Sequence, residues 1–317
     1  MSFTGNNISI RGKSHITRNL PCQDSSAVLC TDEYAIAVVS DGHGGEKYIR
    51  SNIGSRIAVD SSISVLKEYM SDMARFRERL EDDPDGLLMM LSKRIIAEWN
   101  TRVDEYDSSN PQTPAETFFL EQKGLDIQEY QKKYGATLVI SVLTEFASFG
   151  IQIGDGDLVA IRTDGYMSMP MPEDEYCVGN VTTSLCSRKA SEYVRYYCDK
   201  PADASLVSSD GLITTFRSEE SYMRYCRNIM AFSDGTQEYW EKLVTDFEKR
   251  SQSNREDDVS VAMVVNESSD FSKLRERIVK TSRKRKLAIL KKTKEKDPAA
   301  KPERKRTRRW SHSRKKR

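Results

Sequence analysis

Short runs of β-forming residues follow one another closely along the chain, and this spacing limits the fold more than any other feature. Thr137–Leu143, Phe146–Ile153 and Leu158–Ile161 are separated by only two to four residues. Such short breaks predict an antiparallel meander, because parallel strands need a long crossover between them. Four further runs are strand-like in composition, namely Ala27–Cys30, Tyr34–Ser40, Ala204–Ser208 and Val259–Val265. Consecutive strands favour antiparallel sheets over a doubly wound α/β fold.

Helical patterns occur in blocks between these strands. Apolar residues recur at helical spacing in four segments, Ile49–Ile57, Leu87–Trp99, Glu219–Met230 and Gln237–Phe247. Residues 107–134 are polar and contain prolines, so we expect them to form a loop or an irregular part of an insertion over about residues 70–134. Helices in blocks beside consecutive strands predict an α+β fold.

The charge of the chain is divided unevenly. Residues 272–317 carry 22 Lys and Arg against 4 Asp and Glu, a net charge of +18, so the rest of the chain carries −16. We therefore expect a domain over residues 1–268 and a basic, partly disordered tail over residues 269–317, which begins with a short amphipathic helix. The basic tail could bind nucleic acid, anionic lipid, an acidic partner or the acidic body of the same chain, or it could be a solvated tail without a specific partner.

The cysteines and the hydropathy of the chain predict a cytoplasmic protein without a membrane span. The six cysteines form no C-x-x-C pair, so we expect reduced thiols. No run of about 18 apolar residues occurs, and the first residues lack the apolar core of a secretory signal.

Aspartates lie beside the ends of several predicted strands. Asp24 precedes the first predicted strand, Asp41 follows the second, and two more, Asp210 and Asp257, flank later strands. Strand ends can meet at one edge of a fold, and converging carboxylates raise one another's pKa unless a cation lies between them. Oxygen ligands without a cluster of His or Cys predict Mg²⁺ or Mn²⁺ rather than zinc. Each aspartate taken alone is more typical of a turn or a helix cap, but all four in this order favour metal ligands.

Glycines surround Asp41 in the segment DGHGG, at positions 42, 44 and 45. Glycine permits unusual backbone angles and a close approach of the main chain to a ligand. A main-chain carbonyl is therefore available there as a further oxygen ligand of a cation.

The motifs QD, DGHGG, YGATL, GDGD, SDGL and DDVSVA occur in this order. Their order resembles that of the metal-dependent protein phosphatases of the 2C family over roughly residues 8–266, and the segment GKSHITRNLPCQDSS is most similar to a bacterial branch. The resemblance implies a β-sandwich of two antiparallel sheets flanked by helices, with two Mg²⁺ or Mn²⁺ ions at one end. The implied reaction is hydrolysis of phosphoserine or phosphothreonine in proteins.

The resemblance also implies the roles of individual residues. Asp41 would bridge both ions, and Gly42 would offer its carbonyl to the second. The remaining implied ligands are Asp210 and Asp257 for the first ion, Asp24 for the second through water, and Asp155 for the third ion that some members hold. Many members have Glu before the acid of the QD motif, where this chain has the neutral Gln23.

Two further residues are predicted to act on the phosphate. The resemblance implies that His43 is a general acid towards the leaving oxygen. Arg18 is our first candidate for the cation that holds the phosphate, because it lies six residues before Asp24, near where the resemblance implies an arginine. Its planar guanidinium can pair with two phosphate oxygens. Lys13 and His15 remain alternatives.

The tripeptide SDG occurs twice, so its aspartate must be chosen. Asp210 ends an apolar run and precedes a helical block, as in the family, whereas Asp234 lies between two helical blocks. We therefore expect Asp210 to be the ligand and Asp234 to be a loop or cap residue.

The implied mechanism is attack on phosphorus by a metal-bound hydroxide, without a phosphoenzyme. No cysteine is followed at the sixth position by arginine, which argues against a cysteine-dependent phosphatase. The alternative function is a weak or inactive phosphatase-like regulatory module that the basic tail tethers to nucleic acid or to an acidic partner.

Overall fold

The structure, a computed structural model, describes residues 2–125, 130–176, 182–252 and 257–296. The chain divides into two compact units, Met1–Leu274 and Arg275–Arg317. Both β-sheets lie within the first unit.

The described strands form two antiparallel sheets of five strands each. The first sheet has the order β1-β10-β9-β6-β7 and the second has the order β2-β3-β4-β5-β8. The strands are β1 (Phe3–Ile10), β2 (Ser25–Cys30), β3 (Tyr34–Ser40), β4 (Leu138–Thr144), β5 (Ser148–Ile153), β6 (Asp157–Ile161), β7 (Met167–Ser168), β8 (Arg195–Asp199), β9 (Ala204–Ser208) and β10 (Val259–Asn266). Together with the helices that flank them, these sheets confirm the predicted α+β sandwich.

The apolar strand β3 shows how the layers are held together. Its alternate residues Ala35, Ala37 and Val39 pack between the two sheets, among residues of β4, β6, β9 and β10. Ile36 and Val38 point to the other face, where helices cover the second sheet. A strand that is buried on both faces needs apolar residues at every position, which explains why YAIAVVS shows no alternation.

The predicted meander is correct for β4 and β5 but wrong for β6. β6 pairs with β9 and β7 in the first sheet, whereas β4 and β5 belong to the second. The segment GDGD, residues 154–157, therefore carries the chain from one sheet to the other, and Gly154 adopts a φ of 96° there. Such an angle is open to glycine and strained for other residues. Sequence spacing alone cannot distinguish this crossing from a hairpin.

The described helices are α1 (Lys13–Thr17), α2 (Ser51–Tyr69), α3 (Met73–Asp82), α4 (Pro84–Ser109), α5 (Pro114–Gln122), α6 (Ala190–Tyr193), α7 (Asp210–Ile213), α8 (Glu219–Phe232), α9 (Gln237–Ser251) and α10 (Ser272–Lys296). A 3₁₀ helix spans Tyr130–Tyr134. Helix α2 packs on α4 and on β2 and β3, while α8 and α9 pack on the first sheet. No helix in these described ranges is long and apolar enough to cross a membrane.

The expectation of a loop over residues 107–134 is wrong for α5. Thr113 caps this helix, since its hydroxyl accepts from the backbone N–H of Glu116 and the Glu116 carboxylate accepts from the backbone N–H of Thr113. Thr-Pro followed by Glu is a strong helix start, and here it outweighs the polar composition of the segment. Helix α10 is also longer than the short helix expected. Residues 297–317 of the tail lie outside the described residues.

Five of the six cysteines lie in the described part of the chain and have free thiols, namely Cys22, Cys30, Cys186, Cys198 and Cys226. Cys177 lies outside the described residues.

Candidate active site

The second sheet brings Asp24 and Asp41 to the same edge. Ser25 at the start of β2 pairs with Ser40 at the end of β3, so the residues just outside this pair are neighbours. Asp41 is tied down further, because its backbone N–H donates to the Thr137 hydroxyl and its carbonyl accepts from the Thr137 backbone N–H.

The first sheet brings its own acids to the corresponding edge. β9 ends at Ser208, which pairs with both Asp157 of β6 and Val261 of β10. The chain continues from β9 into Asp210, the first residue of α7, and it enters β10 through Asp257. The acids that were widely separated in sequence thus reach one end of the sandwich.

The pKa of Asp41 shows that these acids act on one another. Burial raises the pKa well above its usual range, and the nearby carboxylates raise it further. The carboxylates that do so belong to Asp24, Asp210, Asp257 and Asp155. Every aspartate that the sequence proposed as a ligand therefore lies within electrostatic reach of Asp41. Carboxylates that are close enough to raise one another's pKa favour protonation or the presence of a cation.

Asp24 is the most deeply buried of these acids, with 6% of its surface exposed. Its Oδ2 atom has no hydrogen-bond partner. Burial and then the charge of Asp258 raise its pKa to about 8, against the opposing effect of the Ser209 and Ser260 hydroxyls. A buried carboxylate oxygen without a donor is costly in free energy, which marks Asp24 as a group whose partner is not supplied by the protein.

The acids lie at one end of the fold, but they are not arranged as a complete set of ligands for a metal ion. Among the residues that the structure describes, no three Asp, Glu, His or Cys side chains are placed as ligands of a single ion.

Two acids of this end were missed by the sequence analysis. Asp157 is buried, its Oδ2 has no hydrogen-bond partner, and burial followed by the charges of Asp210 and Asp155 raises its pKa to about 7. Asp258 is also buried. Each is the second acid of a motif already noted, GDGD or DDVSVA, and the position beside a proposed ligand was the only signal available in the sequence.

Asp258 differs from its neighbours because its carboxylate is fully partnered. Oδ1 accepts from the backbone N–H of Gly12 at 2.7 Å and lies 2.8 Å from Nδ1 of His15, while Oδ2 accepts from the backbone N–H of Gln23 at 2.6 Å. Burial alone would raise the pKa of Asp258, yet these hydrogen bonds hold it below its usual value. Asp258 thus fixes the segment that leads into Asp24.

Gly42 lies where main-chain segments approach one another closely. A Cβ atom at this position would come within 2.5 Å of the carbonyl oxygen of Gln23 and 2.7 Å of that of Ser51. Glycine is therefore required here by close backbone approach. Gln23 itself donates from Nε2 to the Ser51 hydroxyl at 2.7 Å, so the neutral residue at this position connects the segment before β2 to the start of α2.

His43 is held in place by its contacts with Gly135 and Tyr48. Its backbone N–H donates to the Gly135 carbonyl at 3.0 Å, and its ring packs on Tyr48 with centroids 4.7 Å apart. Burial, followed by the charge of Lys47, lowers the pKa of His43 to about 4. The imidazole is therefore neutral at pH 7.

The three candidate phosphate-binding cations occupy different environments. Arg18 is exposed at the end of α1 and lines a groove beside Gln23 and Gly44. His15 is buried and bound to Asp258, so its ring already has a structural partner. Lys13 is exposed in α1.

Asp234, the aspartate of the second SDG, lies in the turn before α9. Its carboxylate accepts hydrogen bonds from the backbone N–H and the hydroxyl of Thr236. Asp210 lies instead among the acids around Asp41 and Asp157.

Several solved structures resemble this fold at low sequence identity. A serine/threonine phosphatase of Mycobacterium tuberculosis, PstP/Ppp, gives a TM-score of 0.51 at 14% identity and covers 84% of this chain and 99% of its own. Stp1 from Staphylococcus aureus gives 0.50 at 15% identity, with coverages of 82% and 94%. The catalytic domain of PstP, solved in complex with two manganese ions, gives 0.50 at 15% identity, with coverages of 83% and 98%.

The sequence comparisons indicate the family to which the chain belongs. No curated protein sequence gives a significant match. The family model described as Protein phosphatase 2C matches residues 11–258, which is most of the first compact unit. The chain therefore belongs to the protein phosphatase 2C family.

Proposed function

We propose that this chain is a Mg²⁺- or Mn²⁺-dependent protein serine/threonine phosphatase whose catalytic domain spans residues 1–268. The observation that carries the proposal is the set of aspartates that raise the pKa of Asp41 from four separate segments of the chain. Membership of the protein phosphatase 2C family supports it. A structural relative that was solved in complex with two manganese ions supports it as well.

The residues fit divalent metal ions on chemical grounds. The donors are carboxylates together with a main-chain carbonyl, which suit Mg²⁺ and Mn²⁺. The orphaned Oδ2 of Asp24 lacks the partner that a cation or its water shell would supply. The proposed ligands are Asp24, Asp41, Gly42, Asp155, Asp210 and Asp257. When bound, the ions would supply Lewis acidity to the phosphate and lower the pKa of water.

The chain's own residues would orient the phosphate and move the proton. Arg18 is the proposed phosphate-binding residue, because His15 is bound to Asp258 and the guanidinium is suited to two phosphate oxygens. His43 is the proposed general acid. Its pKa of about 4 leaves the ring neutral before substrate binds, so the role requires the phosphate dianion to raise that pKa.

Leaving-group dependence tests the role of His43. Replacing His43 by Ala should lower kcat most for aryl phosphates whose leaving group has a high pKa, because such groups need a proton as they depart. An equal loss of kcat for all leaving groups would reject the general-acid role.

The proposed function as a whole is tested by hydrolysis of p-nitrophenyl phosphate. The full chain should hydrolyse it with Mn²⁺, lose activity in EDTA and regain it when Mn²⁺ is restored. Asp210→Ala should abolish the activity, whereas Asp234→Ala is the matched control from the second SDG and should keep it. Activity that survives EDTA, or that is lost only with Asp234→Ala, would contradict the proposal.

A second candidate function comes from the charge of the tail, which is +18 over residues 272–317 against −16 for the rest of the chain. In this alternative the domain is a weak or inactive regulatory module, and the tail tethers it to nucleic acid or an acidic partner. Salt-sensitive retention on DNA by a protein with no Mn²⁺-dependent activity would favour this alternative. The cytoplasmic location stays a prediction.

A further inference from the structure

A groove runs beside the proposed active site, between the loop after DGHGG and helix α5. It has a volume of about 490 Å³, within the range of protein binding sites. Its lining is mostly apolar, contributed by Leu20, Pro21, Tyr48, Ile49, Ala115 and Phe119. Phe119 is 39% exposed, so its ring is available to a partner.

Helix α5 is fixed firmly as a wall of this groove. The guanidinium of the buried Arg50 donates to both carboxylate oxygens of Glu116, at 2.7 and 2.9 Å. At the other end of α5, Lys123 pairs with Glu46 of the loop after DGHGG. A wall that is held in place before binding costs less conformational entropy when a ligand docks.

The groove is continuous with the proposed reaction centre. Gln23, which precedes Asp24, and Gly44, which follows His43, both contribute to its lining. The exposed Arg18 lies in the same lining.

The other charged residues of the lining are paired, Lys123 with Glu46 and Glu116 with Arg50. A mostly apolar surface with the guanidinium of Arg18 beside the proposed reaction centre is complementary to a chain that bears a phosphate and, close to it, an apolar side chain.

We propose that this groove binds an apolar side chain of the phosphoprotein substrate and thereby selects substrates. The inference rests on the proposed phosphatase function and adds a substrate class to it. The class is phosphoserine or phosphothreonine segments that carry a large apolar residue a few positions from the phosphate along an extended chain. Phe119 is the specificity-determining residue.

The chain offers a matched control on the same helix. Phe118 is 62% exposed and is not part of the groove lining. Full-length wild type, Phe119→Ala and Phe118→Ala should be assayed on Gly/Ser phosphoserine peptides that carry one Leu at each position in turn. Each kcat/KM is divided by that for p-nitrophenyl phosphate on the same variant, and the melting temperature of each variant confirms folding.

One Leu position should raise the normalised kcat/KM about tenfold in wild type and in Phe118→Ala, but not in Phe119→Ala. The proposal is overturned if no Leu position matters or if the two variants behave alike. It is also overturned if light scattering shows a dimer that only Phe119→Ala dissociates, because a second copy would then occupy the groove.

The proposal can fail separately from the phosphatase function. If no variant hydrolyses p-nitrophenyl phosphate with Mn²⁺, the proposed function falls, and the groove is tested by fluorescence anisotropy with the same peptides. Weaker binding of the Leu peptide by Phe119→Ala than by Phe118→Ala would support the proposal that the groove binds the apolar side chain. Equal binding by both variants would reject that proposal.

Discussion

Two regions of the molecule bring acids close together and shift their pKa values in opposite directions. Around Arg50, which is 7% exposed, Glu116 and Asp107 face a guanidinium, and Asp107 also meets Lys133 at 2.8 Å. Hydrogen bonds from Arg50 lower the pKa of Glu116 to about 2. Around Asp41 the acids face one another, and the pKa of Asp24 rises to about 8. The first region is balanced by the protein's own cations, whereas the acids of the second region raise one another's pKa.

The contrast also appears within a single motif. In the DD pair that precedes β10, Asp258 is held by three hydrogen-bond partners and its pKa is lowered. Asp257 is exposed and adds to the charge that raises the pKa of Asp41. One residue of the pair supports the fold, and the other faces the proposed site.

The largest expected effect comes from removing the central acid. Asp41→Asn should lower kcat/KM for p-nitrophenyl phosphate about 10³-fold, equivalent to about 4 kcal/mol of barrier. It should leave the free energy of unfolding unchanged or higher, because a repelled carboxylate has been removed. Asp60→Asn, at an exposed position of α2, is the control. If Asp41→Asn stays active, the acids around Asp41 are not needed for catalysis, and the proposed functional difference between the two regions is wrong.

Breaking the balanced region should affect stability instead. Arg50→Met leaves Asp107 and Glu116 without their guanidinium, and the free energy of unfolding in urea should fall by about 3 kcal/mol. Arg77→Met removes an exposed helical pair with Glu81, whose side chains are 50% and 58% exposed, and should leave the free energy of unfolding nearly unchanged. Equal losses for the two variants would show that the Arg50 cluster is an ordinary surface network.

The pH dependence of stability sharpens the comparison further. An acid whose pKa is raised binds more protons when folded than when unfolded, so its contribution to stability falls as pH rises. In EDTA, the contribution of Asp24 to the free energy of unfolding should therefore decline between about pH 4 and pH 8, the interval over which Asp24 is protonated only in the folded state. Asp24→Asn should flatten this decline. Stability that rises steadily to pH 8 in wild type would contradict the raised pKa.

The smallest predicted effect concerns the contact between His15 and Asp258, which holds the segment that leads to Asp24. His15→Ala removes the ring that contacts Asp258 and should lower kcat/KM about tenfold, with a higher Mn²⁺ concentration needed for half-maximal activity. His15→Asn, whose amide can donate to Oδ1, should recover part of the loss. If Asn behaves like Ala, the ring acts by packing and not by positioning Asp258.

Much of the fold could be predicted from the sequence because the strands are short, apolar and closely spaced. The continuous apolar β3 and the four principal helices follow directly from composition and periodicity. β1 was missed because its sequence, FTGNNISI, is largely polar, as a strand at the edge of a sheet can be. β6 was assigned to the wrong neighbours because a short turn does not reveal whether the chain changes sheet.

The candidate site was predictable only as far as motif order allows. The order of the motifs predicted Asp41 and the other proposed ligands, and the register of the strands explains why these residues lie close together. The sequence could not predict that Asp257 and Asp258 have different environments. The hydrogen-bond partners of Asp258 are Gly12, His15 and Gln23, which lie far away in sequence. The groove under α5 was not predictable either, since its wall was expected to be irregular.

Anomalous diffraction from crystals grown with Mn²⁺ tests the central claim most directly. The account predicts two manganese peaks about 3.5–4 Å apart at the acid-rich end of the sandwich, with Asp41 bridging them and Asp24, Asp210 and Asp257 nearby. No peak at that end, or manganese bound elsewhere while these carboxylates stay protonated, would contradict it.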